Sequence, residues 1–357
     1  MSPQDDRQYR DAPRGRGASY WLAWLFGSLL VLLGGFFVFL VLGVALLVGK
    51  APETLGELDG VAREYVLGER DSREVVAMIP VHGTIGQAGG FLGGEGVVLE
   101  DFRRYLRAAE APEVVGVVLH VDSPGGTVTD SDAIHALLQD FRRRTGKKVV
   151  AYLHSVAASG GYYVAMATDR VVAQPTVLTG SIGVILGAWN WTEAMDKVGV
   201  HRVTILSPKT PFKDILSPDR PMRDDERAWL TGMVEEMYEG FVRVVDEGRP
   251  ALDLEQVRAL ADGRVYTGRQ AREAGLVDEL GGLADAFRWV EAQSGRQGLA
   301  LVRFGEPRSV VDALLGRAAA AGGASGGSTA ELAANLGRLV GALDPTPRLL
   351  YLWTGVR

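Results

Sequence analysis

The chain has 357 residues, 47% hydrophobic and 23% charged, with a formal net charge of −6. A core of ordinary size is therefore available, and the mild acidity gives no footing to nucleic-acid binding. With no cysteine, disulfides, a thiolate nucleophile and cysteine-ligated zinc or iron-sulfur sites are excluded.

Residues 1–19 are polar, with Arg7, Arg10, Arg14 and Arg16 set against Asp5, Asp6 and Asp11, and read as a disordered tail. From Tyr20 to Gly49 no residue is charged, and Trp21 to Val48 is almost wholly apolar, long enough to cross a bilayer with some tilt. The apolar region of a cleaved signal peptide runs to about 7–15 residues, roughly half this length, so residues 20–49 read as an uncleaved transmembrane helix. Tyr20, Trp21 and Trp24 fit an interfacial aromatic belt. The arginines before the span place the N-terminus in the cytoplasm and the bulk of the chain outside it.

Residues 50–72 intersperse Glu53, Glu57, Asp59, Glu64 and Glu69 with Leu55, Leu58, Val61 and Val66, and read as a partly helical stalk. Strands and helices then alternate. Val75 to Val81 reads as a buried strand closed by His82 and Gly83, followed by a glycine-rich loop. Val98 to Ala109 reads as a helix with Leu99, Phe102, Leu106 and Ala109 on one face. Val114 to Val121 is a second buried strand, ending in Asp122, Ser123, Pro124, Gly125 and Gly126. A helix follows from Asp130 to Arg144, opened by acids and closed by arginines as its dipole prefers. Val149 to Leu153 reads as a third strand; after a turn, Ala157, Ala158, Ser159, Gly160 and Gly161 lead into a helix over Tyr162 to Thr168. Asp224, Asp225 and Glu226 open a long helix with the stripe Trp229, Met233, Met237 and Phe241. Thr267 and Gln270 form a capping box for a short helix that stops at Gly275. A strand over Leu299 to Phe304 precedes a Gly/Ala/Ser-rich segment around residues 318–328, an amphipathic helix from Ala330 to Leu343, and an apolar tail with Leu349, Leu350, Tyr351, Leu352 and Trp353. That tail docks either on a neighbouring subunit or in the chain's own groove.

In a parallel α/β arrangement ligands bind at the carboxyl ends of the strands, where the two glycine-rich turns lie side by side. Ser159 then stands at a helix N-terminus, and the N–H groups of Gly160 and Gly126 are placed to serve an oxyanion. Taken alone, each stretch reads as an ordinary N-cap or tight turn. A serine hydroxyl needs a base. Among the histidines, His120 lies inside a buried strand, His135 on a helix face opposite the apolar stripe, and His154 and His201 flank strands; neither these nor His82 has a setting that demands catalysis. The other option is a lysine kept neutral by an apolar surround, and Lys213, between Phe212 and Ile215, is one; Lys209 is its rival.

Five motifs in order, DSPGG at 122–126, AASGGYYVA at 157–165, TGSIGV at 179–184, KDILSP at 213–218 and GRVYTGRQAREAGLVDELGG at 263–282, resemble the bacterial signal peptide peptidase A family over about residues 73–293. The resemblance implies an α/β fold of the Clp protease/crotonase type, built of repeated β-β-α units and preceded by one transmembrane helix. It implies a serine protease domain at 73–293, after the tail at 1–19, the span at 20–49 and the stalk at 50–72, with residues 294–357 as a C-terminal extension. Carried over by position, Ser159 matches the family nucleophile, Lys213 the general base, Ser181 the serine that hydrogen-bonds the lysine, and Gly126 and Gly160 the oxyanion-hole donors. Neither a metal nor a cofactor is implied. Where the family usually has a glycine and an aromatic before the lysine, Ser207 to Phe212 supply the aromatic but two prolines and no glycine. This keeps Lys209 a candidate; Asp214, Ile215, Ser217 and Pro218 favour Lys213. The implied substrates are apolar peptides, chiefly signal-peptide remnants in the bacterial cytoplasmic membrane. The implied partners are the lipid bilayer and further copies of the chain, in a ring-like homo-oligomer with active sites across subunit boundaries. Two other classes share these residues: a crotonase-like acyl-thioester enzyme, which uses the oxyanion donors without a serine nucleophile, and a membrane-tethered assembly factor with a dead site.

Overall fold

Apolar, β-branched runs with no polar alternation form a parallel sheet when helices cover both of its faces, and the central strands follow that rule. The computed structural model describes residues 54–58, 61–86, 96–305 and 348–352, with side chains for all but 54–58 and 348–352. The tail at 1–19, the span expected at 20–49, most of the glycine-rich loop and the segments at 318–328 and 330–343 lie outside these residues. Among the described residues no helix is long and apolar enough to cross a membrane.

In chain order, β1 (Thr54–Leu58) and β2 (Val61–Gly68) precede β3 (Val75–His82), β4 (Thr84–Ile85), β5 (Gly96–Val97) and α1 (Leu99–Ala108). Next come β6 (Val114–Ser123), β7 (Gly125–Thr127), α2 (Val128–Thr145), β8 (Lys148–Ala158) and α3 (Gly160–Ala165). They are followed by β9 (Arg170–Ala173), β10 (Leu178–Gly180), β11 (Ile185–Gly187), α4 (Thr192–Val198), α5 (Asp224–Gly248) and α6 (Leu254–Leu260). The series ends with β12 (Val265–Thr267), α7 (Gly268–Glu273), β13 (Glu279–Leu280), α8 (Leu283–Ser294), β14 (Ala300–Gly305) and β15 (Arg348–Leu352).

The main sheet runs β1-β2-β14-β3-β6-β8-β10-β12, with β9 beside β8 and β13 beside β9. Its centre is parallel, with Met78 opposite Val118 and Val118 opposite Val150. Val117, Val118, Leu119, Val149, Val150 and Ala151 are fully buried. Phe102, Ile134, Leu138 and Tyr162 pack on one face of the sheet, and Ala286, Phe287 and Val290 of α8 on the other. A second sheet, β11-β15-β7-β4-β5, stands at the carboxyl ends of these strands. β3 and β6 each pass into it through a short strand, β4 and β7, before the chain returns as α1 or α2. The repeat is a β-β-α unit.

Two local expectations are corrected. The partly helical stalk expected over 50–72 gives way to strand at Val61–Gly68, where β2 pairs antiparallel with β14, Tyr65 opposite Val302. Val61, Tyr65 and Val66 favour extended backbone, and β14 offers an open edge to complete. The third strand does not turn after Leu153. It continues to Ala158 because β10 pairs with its far end, Leu178 opposite Val156 and Gly180 opposite Ala158. Asp122 Oδ1 accepts from Val156 N–H at 3.1 Å.

His135 also differs from expectation, being only 6% exposed and packed edge-on against Tyr163 with ring centroids 5.3 Å apart. Desolvation pushes its imidazole pKa down from 6.5 to about 4, with Asp132 pulling the other way and Arg142 adding to the drop. The unfolded chain therefore takes up this proton near pH 6.5 while the folded chain resists until about pH 4. Stability from this site is complete above pH 6.5 and is lost as the pH falls through that window. His135→Phe, which keeps the ring and cannot titrate, is expected to lessen the fall in thermal midpoint between pH 7 and 4.5, by the equivalent of about 2 kcal/mol at the acid end. Parallel melting curves for the two proteins across that range would refute this account.

Candidate active site

The corner between β8 and α3 is a single residue. Ser159 sits at φ 53 and ψ −117, a left-handed conformation that costs a side-chain-bearing residue on the order of 1–3 kcal/mol. It is held there by its own N–H donating to Gly180 O at 2.7 Å and by Tyr163 N–H donating to Ser159 O at 2.8 Å. The serine is 1% exposed, enclosed at the end of the central strand. Among the described residues no side chain hydrogen-bonds its hydroxyl. One step beyond the Gly180 and Ala158 pair, Ser181 lies across from it on the chain leaving β10. Ser181 is 8% exposed and also has a positive φ, 51, with its N–H donating to Arg264 O at 2.8 Å.

Two glycines close the corner. A Cβ on Gly160 would stand 2.5 Å from Ser131 Oγ and 3.1 Å from the backbone N of Gly126. The backbones of Gly160 and Gly126 are therefore packed directly against each other, with no room for a side chain between them. A Cβ on Gly126 would meet Ile85 O at 2.0 Å, because β7 runs beside β4 at that point. Ser123 fixes the turn between β6 and β7 by donating to Gly83 O at 2.6 Å and accepting from Gly125 N–H at 3.1 Å.

The tail is seated here. β15 runs antiparallel to β7, Tyr351 opposite Gly126 and Leu352 opposite Gly125, and antiparallel to β11, Leu350 opposite Ile185. Of the two places open to it on sequence, it takes the chain's own groove, beside the Gly126 turn.

Ser159, Ser181, Gly126 and Gly160 are thus brought together, whereas the lysines are not. Lys213 and Lys209 are both exposed, and neither side chain makes a hydrogen bond or ion pair among the described residues. Among the described residues the apolar enclosure expected for Lys213 does not form, and Phe212 beside it is itself 39% exposed. The whole segment from β11 to α5 presents apolar surface: Trp189, Val203 and Ile205 are 54%, 85% and 92% exposed. No histidine takes the lysine's place. His82, His120 and His154 gather around Tyr152 on the face toward α8, with His82 Nε2 and His120 Nδ1 3.0 Å apart. Burial, with His82 and His154 nearby, pushes the His120 pKa down to about 3. Among the described residues no group of histidines and carboxylates is arranged to hold a metal.

One cluster went unseen in the sequence. Arg220 bridges Asp214 to Glu226, with Nε and Nη2 donating to the Asp214 carboxylate at 2.8 and 2.9 Å and Nη1 to Glu226 Oε2 at 2.8 Å. Partners six residues away on either side, across prolines, leave no periodic signal.

Known proteins match this chain in sequence. Peptidase family S49 matches residues 141–297. A Synechocystis sp. protein with a protease name is 41% identical over 53% of this chain and 67% of its own. An Enterococcus faecium protein named for signal peptide peptidase SppA is 34% identical, over 63% of this chain and 65% of its own. Protease 4 of Salmonella typhi is 38% identical over 49% of this chain and 28% of its own. The match thus spans about two thirds of the first two relatives' length and under a third of the last. A solved mutant of ClpP1 from Listeria monocytogenes aligns over 58% of this chain and 93% of that one, with 17% identity and a TM-score of 0.38. With five motifs in order and a 41% identical relative matched over two thirds of its length, the chain belongs to peptidase family S49, and with it to the serine peptidases.

Proposed function

We propose that the chain is a membrane-anchored endopeptidase that hydrolyses apolar peptides, chiefly signal-peptide remnants in the cytoplasmic membrane, with a Ser159/Lys213 dyad. The observation that carries this is the corner itself: a buried serine held at positive φ, with two glycine backbones beside it and a second serine across. Ser159 Oγ attacks the peptide carbonyl and passes its proton to the Lys213 amine, which returns it to the leaving amine. The N–H groups of Gly126 and Gly160 hold the oxyanion, and water then releases the acyl-enzyme. Ser181 orients the amine. Since Lys213 is exposed and unengaged among the described residues, on a segment rich in exposed apolar side chains, it serves the Ser159 of a neighbouring copy in a homo-oligomer. The span at 20–49 anchors each copy, with the protease domain outside the cytoplasm.

The test is covalent labelling of Ser159 by a fluorophosphonate. It is expected in the wild-type chain, absent in Lys213→Ala and retained in Lys209→Ala. Turnover of an acyl-thioester without labelling would replace this reading with a crotonase-like one. An intact oligomer with neither labelling nor turnover would replace it with an assembly factor.

Substrate lies extended between β7 and β11, as β15 does, adding a strand to the second sheet. Deleting residues 344–357 is therefore expected to raise the initial rate on an apolar fluorogenic peptide roughly tenfold, since a tethered strand competes at high effective concentration. A peptide of residues 346–353 added back should inhibit the truncated protein. An unchanged rate with no inhibition would remove the groove from this account.

A further inference from the structure

Lys213 lies in a run of tight turns, its N–H donating to Thr210 O at 3.1 Å and Ser217 N–H donating to Asp214 O at 3.0 Å. A lysine side chain on such a loop has wide freedom, yet both of its neighbours are braced. On one side, Arg223 Cζ stands 5.3 Å from the centre of the Phe212 ring, and its Nη2 donates to Pro211 O at 3.2 Å. On the other, Arg220 uses its whole donor fork. Nε and Nη2 hold the two Asp214 carboxylate oxygens, and Nη2 also reaches the Asp214 backbone O at 3.1 Å. Nη1 and Nη2 donate to Glu226 at 2.8 and 2.5 Å. Glu226 is fully buried in the first turn of α5 and also accepts from the Arg223 N–H at 2.9 Å. A continuous chain of charge-assisted hydrogen bonds thus runs from a long helix through Glu226 and Arg220 to the residue next to Lys213.

We propose that Arg220 is a positioning residue for the Ser159/Lys213 dyad, fixing the loop that carries Lys213 and neutralising the Asp214 carboxylate beside it; this rests on Lys213 being the base.

The electrostatic half follows from what a lysine base requires. It works uncharged, and a bare carboxylate next to it favours the ammonium form. Hydrogen bonds from Arg220 hold the Asp214 carboxyl below the usual carboxylate range, so it stays ionised, but with both oxygens engaged by a cation. Other charges facing this loop are Lys209 and Asp219 on the loop itself, Arg202 paired with Asp219 at 3.3 Å, and Arg223 and Asp225 from the start of α5, paired at 3.0 Å. Arg220 is the one among them that holds Asp214 through its side chain.

The experiment compares full-length Arg220→Ala, Arg220→Lys, Asp214→Asn and the Arg220→Ala/Asp214→Asn double variant with wild type and Lys213→Ala. Readouts are kcat and KM on an apolar peptide from pH 6 to 10, with thermal midpoint as a fold control. Arg220→Ala is expected to lower kcat on the order of 100-fold with KM little changed, since a misplaced base costs about that much. Its ascending pH limb should move to higher pH by about one unit, because the freed carboxylate now favours the charged amine. Adding Asp214→Asn should return the limb to the wild-type position without restoring the full rate. Arg220→Lys, which keeps the charge but not the fork, should fall between wild type and Arg220→Ala. If Arg220→Ala fails to fold, Arg220→Lys and Asp214→Asn carry the test through the limb position alone. A wild-type limb in every folded variant, or in Arg220→Ala alongside lost stability, would reduce Arg220 to scaffold and overturn the proposal. Activity retained in Lys213→Ala would instead overturn the base assignment, and the two failures are told apart by that one control.

Discussion

Ser159→Ala and Lys213→Ala, each without measurable hydrolysis alone, are expected to regain about a quarter of the wild-type rate when reassembled together in equal amounts. Removing either member of such a unit costs at least about 10⁴-fold, so each pure variant is a clean background. In a random assembly, half the serine positions and half the incoming lysines are intact, and about a quarter of the sites receive both. A dyad within one chain predicts no recovery at any ratio, because every chain lacks one partner. The observations that favour the shared site are Lys213 and Lys209, exposed and unengaged among the described residues, and the apolar residues Trp189, Val203 and Ile205 facing solvent on the same segment. Titrating the ratio of the two variants should give a rate that peaks at equal amounts. A flat line at zero would return the base to the nucleophile's own chain or dismiss it.

What the sequence disclosed follows from which forces are local. The strand-turn-helix order, the capping box at Thr267 and the placing of Ser159 at a strand-to-helix corner all rest on short-range pattern: apolar runs, turn glycines and caps; the short second strand of each β-β-α unit came only from the family resemblance. The far end of β8 was missed because Ser155 to Ala158 have no strand pattern of their own and are held extended by β10, more than 20 residues on. Strand β2, which lies between β1 and β14, was missed for the same reason, its partner β14 arriving at the far end of the domain. His135 read as lying off the apolar stripe of its helix because its cover, Tyr163, comes from the helix after the next strand. The setting of Lys213 failed differently: flanking apolar residues promised a dry pocket, but Phe212 is itself 39% exposed, and among the described residues nothing apolar closes over the lysine. Motif order singled out the candidate residues, while tertiary pairing decided how each is held.

Gly126→Ala is expected to lower kcat by about 10² to 10³, the cost of losing an oxyanion-hole donor, and no second substitution should recover it. An added methyl would sit 2.0 Å from Ile85 O and 2.6 Å from Ile85 N and C, all backbone atoms, so β7 must swing away from β4. The Gly126 N–H moves with it. Gly160→Ala is the informative contrast. Its nearest obstacle is a side chain, Ser131 Oγ at 2.5 Å, with Gly126 N at 3.1 Å and Gly125 Cα at 3.2 Å behind it. Ser131→Ala deletes that first atom at the loss of one hydrogen bond to Thr127 O, worth about 1 kcal/mol. The Gly160→Ala/Ser131→Ala pair should therefore recover part of the activity lost by Gly160→Ala, and the contacts that remain tight keep recovery from being complete. Steady-state kcat on the apolar peptide, with the thermal midpoint alongside, separates the cases. Should Gly126→Ala fold and turn over like the wild type, its N–H does not face the oxyanion, and Gly160 would be left with a different partner in that task.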